Sequence, residues 1–166
     1  MTAELTKADL AALPDQIRGW ASELGFQQVG ITGIDLGEHE GYLQKWLDAG
    51  YHGTMDYMAR HGSKRSRPAE LVPGTARVLS LRMDYLVDER AEQVLAAPDK
   101  AYISRYTLGR DYHKLMRKRL AQLAQRIAEQ AGGGQFRAFV DSAPVLERAI
   151  AEQAGLGWIA KNTMLI

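Results

Sequence analysis

The spacing of hydrophobic residues predicts a series of helices along the chain. The first is predicted to begin after Pro14 and to end near Leu24, because Gly25 is a typical helix stop. Others are predicted over residues 38–48, 110–130 and 144–153, and the glycines at 132–134 end the longest of them. The apolar stripe of that longest helix consists of Tyr112, Leu115, Met116, Leu120, Leu123 and Ile127.

Alternating apolar and polar residues predict strands between these helices. In residues 28–32, Val29 and Ile31 would face the core while Gln28 and Gly30 face away. The clearest alternation runs over residues 78–85, and a further strand is predicted over 135–140. Another strand is predicted to start within 163–166. Strands separated by helices predict an α+β fold, an α/β sandwich whose strand order the pattern does not determine.

The segment between residues 50 and 74 is polar, basic and rich in glycine and proline. This composition predicts an extended surface segment with one or two short helical turns. Such surface segments often carry function.

Composition limits the classes of protein to consider. With 166 residues, 46% of them hydrophobic, we expect a single domain over 1–166. The 21 Lys and Arg against 20 Asp and Glu do not by themselves favour a polyanionic partner. There is no cysteine, which excludes disulfides and cysteine-held metal clusters in this sequence. Lacking a signal-peptide pattern and a long apolar run, the chain is expected in the cytoplasm without a membrane partner.

Asp141 is the strongest candidate for chemistry. It follows a predicted strand, and Ser142 and Pro144 are suited to begin the next helix, so we expect its carboxyl at a rigid strand-to-helix junction. A carboxyl in a partly dry pocket holds its proton more strongly, which would allow proton donation near neutral pH. In the alternative interpretation, Asp141 only caps the helix.

A second group of residues lies at the start of the longest helix and consists of Tyr106, Arg110, Asp111, Tyr112 and His113. Free backbone N–H groups and the helix dipole at such a position favour an anionic or amide-rich ligand. The alternative is an ordinary helix start, in which Asp111 favours the dipole and Tyr112 packs in the core.

A third group, near the end of the sequence, is rich in glycine and contains Gly157, Trp158, Lys161 and Asn162. Glycine lets the backbone approach a flat ligand closely, and Lys161 can donate hydrogen bonds to carboxamides or phosphate. A plain turn would explain the same pattern.

A fourth group combines cations with an aromatic residue. Its members are Arg60, His61, Lys64, Arg65 and Arg67, adjacent to Tyr57, and Lys118 in the longest helix could extend the patch. Cations interleaved with aromatics can grip phosphates and stack on unpaired RNA bases. A solvated charged face is the alternative interpretation.

Three blocks of this sequence resemble the epoxyqueuosine reductase family. They are residues 50–58, with Gly50-Tyr51-His52-Gly53; residues 106–113; and residues 139–162, with Val140-Asp141-Ser142 and the glycine-rich turn. The resemblance implies that Asp141 is the general acid that protonates the oxygen leaving the substrate ring. Family members usually have glycine where this chain has Ala160.

The resemblance also implies a fold, a cofactor and a reaction. The fold would be a cobalamin-binding domain with a mixed or largely antiparallel sheet covered by helices, related in shape to nitroreductases. The reaction would be the cobalamin-dependent reductive deoxygenation of epoxyqueuosine to queuosine in the tRNA anticodon loop. We predict no metal-ligating residue in this sequence. The cobalamin contacts would be Tyr106, Arg110, His113, Ser142, Gly157, Trp158, Lys161 and Asn162.

The same resemblance implies tRNA contacts from the basic segment and electrons from two four-iron four-sulfur clusters. In the family these clusters lie in a ferredoxin-like region that follows this domain. Since the present sequence has no cysteine to hold a cluster, we expect that the isolated chain, a monomer, cannot complete turnover alone.

Two other functions are considered. In the first, the chain is a non-catalytic module that only holds a corrinoid or tRNA. In the second, it is another cobalamin-dependent reductase, such as a relative of reductive dehalogenases. The absence of an export signal and the basic segments argue against the latter. A flavin-using relative of nitroreductases is a third, weaker alternative.

Overall fold

The computed structural model of the chain describes residues 6–85 and 91–166. Short 3₁₀ turns lie at Asp56–Met58, Gly62–Arg65 and Arg105–Thr107. None of the helices in the described ranges is long and apolar enough to cross a membrane. The helices and strands are, in chain order, α1 (Lys7–Glu23), β1 (Gln28–Thr32), α2 (Glu38–Asp48), α3 (Pro68–Leu71), β2 (Val78–Arg82), α4 (Ala91–Leu95), α5 (Tyr112–Gln130) and α6 (Glu147–Gln153).

β1 and β2 form an antiparallel pair that is covered on both faces. Val29 lies opposite Leu81, and both pack against the core beneath α1 and α5. On the other face, Gly30 lies against Ala154 at the end of α6. Gly30 was predicted to face away from the core, but it is buried because α6 covers the second face. The α+β class is confirmed, with a small antiparallel sheet.

The hydrophobic core lies between α1, α5 and this sheet. Its centre is formed by Ala21, Phe26 and Leu123, each of which is almost fully buried. The residues packed around that centre are Trp20, Leu24, Val29, Leu81, Met83, Met116, Leu120 and Ile127. Four of the six residues in the predicted apolar stripe, Met116, Leu120, Leu123 and Ile127, therefore contribute to the core, whereas Leu115 is exposed.

Gly25 ends α1 and directs the next residue inward. Its φ of 82° lies in the left-handed region that favours glycine. The Phe26 N–H donates to the Ala21 carbonyl, and the Gly25 N–H donates to the Ser22 carbonyl, both at 2.9 Å. This pair of bonds is a common helix end, and it places the Phe26 ring in the core.

α1 begins earlier than predicted. Thr6 accepts a hydrogen bond from the Asp9 N–H at 3.2 Å, and the Asp9 carboxylate accepts one from the Thr6 N–H at 2.9 Å. This reciprocal capping favours a helix start at Lys7. Pro14 therefore lies inside the helix, where it removes one intrahelical donor without ending the helix.

Predictions for the remaining helices were closer. The helix over residues 38–48 is confirmed, and the longest helix ends at Gln130 as predicted but begins at Tyr112 because Asp111 caps it. Residues 50–74 contain three short helical turns, where one or two were predicted.

Two predicted strands differ from the structure. β2 ends at Arg82 because its last partner is Gln28, so the part of the prediction from Met83 to Tyr85 lacks a pairing strand. Residues 135–140 form no strand, since none of the strands in the described ranges pairs with them. Alternation predicts which face a residue would take, but an extended segment needs a partner for its backbone groups.

The end of the chain forms a small hairpin. Ile159 and Leu165 form an antiparallel bridge, and Trp158 and Ile166 exchange two backbone hydrogen bonds of 2.9 Å. The strand predicted to start within residues 163–166 is therefore present only as this short pairing. Residues 144–146 precede α6, so the helix predicted over 144–153 is shorter than expected.

Replacing Gly30 with alanine tests the contact between the sheet and α6. A Cβ at Gly30 would lie 2.5 Å from the Ala154 carbonyl oxygen and 2.6 Å from the Ala154 Cβ. Because backbone must shift, Gly30→Ala should lower the free energy of unfolding by about 1–3 kcal/mol in urea denaturation.

Gly33→Ala is the matched control, because no atom lies within 4 Å of the Cβ it would add. Its effect should stay below about 1 kcal/mol. Equal effects of the two substitutions would contradict the packing of α6 described above.

Candidate active site

The start of α5 fixes two nearby side chains. Asp111 is the N-cap, and its Oδ1 accepts a hydrogen bond from the His113 N–H at 3.0 Å. The same oxygen lies 2.9 Å from Nδ1 of the His113 ring. Helix capping therefore also orients this ring.

Asp141 lies in the loop between α5 and α6, which is anchored on both sides. Val140 before it is buried, and the Leu146 N–H after it donates to the Arg65 carbonyl at 3.1 Å. The φ of Asp141 is 54°, in the left-handed region that aspartate tolerates better than most residues. The loop thus holds Asp141 in an uncommon backbone conformation.

The surroundings of Asp141 differ from the prediction. Its side chain is 53% exposed, so it lies at the surface and not in a partly dry pocket. It also lies outside any strand-to-helix junction, because the element before it in the described ranges is α5 and α6 begins only at Glu147. Leu146 is the N-cap of α6, without a side-chain hydrogen bond. Ser142 is exposed beside Asp141 and does not cap the helix.

Side chains from the two segments meet at one oxygen. The Tyr112 hydroxyl donates to Oδ2 of Asp141, and Nε2 of His113 lies 3.5 Å from the same atom. The rings of Tyr112 and His113 stack with centroids 4.1 Å apart, and Tyr106 meets Tyr112 edge-on at 6.2 Å. We call Asp111, Tyr112, His113 and Asp141 the Asp141 cluster.

Proton equilibria in and near the Asp141 cluster are perturbed. The hydrogen bond to the Asp141 carboxylate, followed by partial desolvation, raises the pKa of Tyr112 to about 12. The hydrogen bond with the His113 ring lowers the pKa of Asp111. Desolvation of its carboxyl and the charge of Asp141 raise the pKa of Glu147, although that residue as a whole is exposed.

The other residues predicted around Asp141 have different positions. Arg110 is exposed in the turn before Asp111. Lys161 and Asn162 lie at the tip of the terminal hairpin, where the Asn162 side chain accepts from the Met164 N–H at 3.1 Å. The Trp158 side chain is 59% exposed on that hairpin.

Gly157 has a structural reason to be glycine. A Cβ there would lie 2.3 Å from the Ile166 carbonyl oxygen. Its close backbone approach is therefore to the chain itself, where the sequence predicted an approach to a flat ligand. The next turn contains Thr163 with φ of 66°, an uncommon conformation for a β-branched residue.

The basic segment is only partly available as a surface. Arg60 and Lys64 are exposed, as is Tyr57, and Lys118 is exposed on α5. Arg65 was predicted to contact RNA, but its residue is 8% exposed and its guanidinium donates to the Tyr57 carbonyl at 2.9 Å.

Arg67 is exposed but neutralised by two carboxylates. Its guanidinium donates to Glu40 at 2.7 Å and to Glu70 at 2.9 Å. These hydrogen bonds raise the pKa of Arg67 and lower that of Glu40. The sequence could not distinguish Arg67 from Lys64, since the paired carboxylate of Glu40 lies in α2.

Sequence reasoning grouped Asp111 and Tyr112 with His113 but did not predict either of them as a ligand contact. Tyr112 was placed in the core because it starts an apolar stripe, yet its hydroxyl reaches Asp141. The spacing Asp-x-His at a predicted helix start was an available signal, because an N-cap carboxylate lies close to the second residue after it.

Comparison with known proteins gives the relationship of the chain. The family described as "Epoxyqueuosine reductase QueG, DUF1730" matches residues 65–142. The epoxyqueuosine reductase of Pseudomonas aeruginosa is 71% identical over 163 residues, which are 98% of this chain and 45% of that protein. By sequence, the chain is similar to part of the epoxyqueuosine reductases.

Other epoxyqueuosine reductases agree with this relationship. That of Vibrio cholerae is 55% identical over 159 residues, 95% of this chain and 43% of its own length. The chain thus spans less than half the length of these curated relatives.

The fold also matches that of solved epoxyqueuosine reductases. One crystal structure, determined with a tRNA-Tyr epoxyqueuosine-modified stem loop, has a TM-score of 0.72 and 23% identity. The match covers 94% of this chain and 41% of that one. At this identity the likeness concerns the fold.

The bond between Tyr112 and Asp141 can be tested through the tyrosine. In Asp141→Asn, the pKa of Tyr112 should fall from about 12 towards about 10, because the charged acceptor is lost. NMR titration with tyrosine labelled at Cζ measures it, and Tyr112→Phe assigns the signal. Asp111→Asn should change this pKa much less, because Asp111 acts on the phenol only by charge.

The pH dependence of stability gives a second readout. Since the folded pKa of Tyr112 lies above that of an unfolded tyrosine, the bond stabilises the fold fully below pH of about 10. That stabilisation is lost as pH rises through about 12. A Tyr112→Phe protein whose stability changed with alkaline pH as in wild type would exclude this bond.

Proposed function

We propose that this chain is the cobalamin-binding part of an enzyme that reduces epoxyqueuosine to queuosine in the tRNA anticodon loop. The observation that carries the proposal is the Asp141 cluster, in which an exposed carboxyl is held by side chains from a distant helix start. The identity of 71% to an epoxyqueuosine reductase over nearly the whole chain supports it.

Asp141 is proposed as the general acid. Its carboxyl is exposed, so a substrate can reach it, and its uncommon backbone conformation is of a kind that occurs at active sites. Tyr112 orients the carboxyl through Oδ2. With a pKa of about 12, Tyr112 stays protonated near neutral pH and remains a hydrogen-bond donor.

The exposed residues beside the cluster and on the hairpin fit a corrinoid. Trp158 and Tyr106 offer exposed aromatic surface for a large ring, while Arg110, Ser142 and Lys161 offer donors for its carboxamides. Bound cobalamin would supply the electron chemistry that no side chain can perform. Both ring nitrogens of His113 face carboxylates, so His113 is not proposed as a ligand to cobalt.

The proposal extends to the wider organisation. We treat residues 1–166 as one domain of nitroreductase-like shape, since one core joins α1, α5 and the sheet. The sequence has no cysteine, so the two four-iron four-sulfur clusters of the reaction would be held by residues outside it.

Cobalamin titration monitored by visible absorbance tests the cofactor. We expect binding with a base-off spectrum, and weakening by about 2- to 10-fold in Lys161→Ala, the effect of losing one hydrogen bond. Asp141→Ala should bind like wild type because its proposed role is proton transfer.

Lys45→Ala, at an exposed position of α2, is the charge-matched control. If cobalamin fails to bind both this chain and a chimera in which the chain replaces the matching part of the Pseudomonas aeruginosa relative, the proposed cofactor is wrong.

We also propose that the exposed residues Tyr57, Arg60 and Lys64, with Lys118, contact the tRNA stem loop. Cations with free positive charge can neutralise phosphates, and an exposed tyrosine can stack on a base. Arg65 and Arg67 are left out, because one is buried and the other is paired with Glu40 and Glu70.

Salt dependence of stem-loop binding distinguishes these cations. Lys64→Ala should weaken binding and reduce the slope of log affinity against log salt by about 0.7–0.9, the value for one phosphate contact. Arg67→Ala should leave the slope unchanged because its charge is already neutralised. Equal slopes for wild type and Lys64→Ala would remove Lys64 from the proposed interface.

A further inference from the structure

We propose that His113 returns a proton to Asp141 after each turnover, and that Asp111 positions His113 for this by fixing its tautomer. The inference rests on the proposed function, since it assumes that Asp141 donates a proton to substrate. It assigns distinct roles to Asp111 and His113, which lie at the same helix start.

The distances around the ring favour one neutral tautomer. Nδ1 lies 2.9 Å from Asp111 Oδ1, a good hydrogen-bond distance, whereas Nε2 lies 3.5 Å from Asp141 Oδ2. That Oδ2 already accepts from the Tyr112 hydroxyl. The ring proton is therefore held at Nδ1 by Asp111, and the Nε2 lone pair faces Asp141.

This arrangement permits a balanced proton transfer. After Asp141 has given its proton to substrate, Nε2 of His113 takes one proton from solvent and forms an imidazolium. The N–H bond at Nε2 then breaks as an O–H bond forms at Asp141 Oδ2, which restores the carboxylic acid and the neutral ring. The proton on Nδ1 stays bonded to the ring and hydrogen-bonded to Asp111 throughout, and no electrons are transferred.

Solvent access and neighbouring groups suit this role. The His113 side chain is 37% exposed, so water can reach it, and carboxylate oxygens of Asp111 and Asp141 flank its two ring nitrogens. Tyr112 covers one ring face by stacking. Imidazole is the side chain best suited to exchange protons near neutral pH.

The tautomer can be read directly by two-bond ¹⁵N–¹H NMR on the chain as it is, without cofactor. The chain has four histidines, and His113→Gln assigns the signal. We expect neutral His113 to carry its proton on Nδ1 in wild type. In Asp111→Gly the acceptor is lost, and the proton should move towards Nε2, where Asp141 accepts it.

Two features of the variants separate a change in the His113 tautomer from a loss of folding stability. Glycine is a tolerated N-cap, which limits the loss of helix stability to a few tenths of a kcal/mol relative to other caps. Asp111→Asn keeps an acceptor oxygen and should retain the Nδ1 proton. Wild-type His113 protonated at Nε2, or an unchanged tautomer in Asp111→Gly, would overturn the role of Asp111.

The proton return is tested by turnover in the chimera with the Pseudomonas aeruginosa relative. His113→Gln should lower the steady-state rate by about 100-fold and the first turnover much less, since only later cycles require reloading of Asp141. An equal decrease in both phases, or none in steady state, contradicts the proton return.

Asp141→Asn distinguishes this failure from failure of the proposed function. It should abolish both phases, because the proton donor itself is gone. If Asp141→Asn remains active, the proposed role of Asp141 is wrong, and so is the proton return from His113. If Asp141→Asn is inactive while His113→Gln turns over normally, only the proton return from His113 is wrong.

Discussion

The position of the candidate site depends on the packing of α6 against the sheet. This helix has seven residues and no side-chain cap, so it is too short to be stable by itself and relies on burial of Ala149, Ile150 and Ala151. Its end packs where Gly30 leaves room on β1. The loop with Asp141 enters α6 and the terminal hairpin leaves it, so both take their positions from this one contact.

A second constraint links the site loop to the basic segment. The Arg65 carbonyl accepts from the Leu146 N–H, and its guanidinium donates to the Tyr57 carbonyl. Burying an arginine with so few partners is costly. That cost is consistent with a structural role for Arg65, whose hydrogen bonds connect the segment at residues 57–65 with the residues that follow Asp141.

Sequence predicted the features that depend on neighbouring residues. Gly25 as a helix stop and the end of the longest helix before its glycines follow from local backbone preferences. Features that depend on distant partners were not predictable: the missing strand over 135–140 needed a pairing strand, and the neutralisation of Arg67 needed Glu40. Asp141 as the residue that carries the chemistry stays a prediction, and its surface position and its contact with Tyr112 required the fold.

In the Asp141 cluster, a single oxygen atom contributes both to helix stability and to the geometry of the candidate site. Oδ1 of Asp111 accepts the backbone N–H that caps α5 and contacts the ring that faces Asp141. The start of α5 and the orientation of His113 therefore cannot change independently. α5 also contributes Leu123 to the core. The packing that holds α5 in the core therefore also holds the His113 ring in place relative to the carboxylates of Asp111 and Asp141. Such coupling gives an exposed site the rigidity that the proposed proton transfer requires without burying its charges.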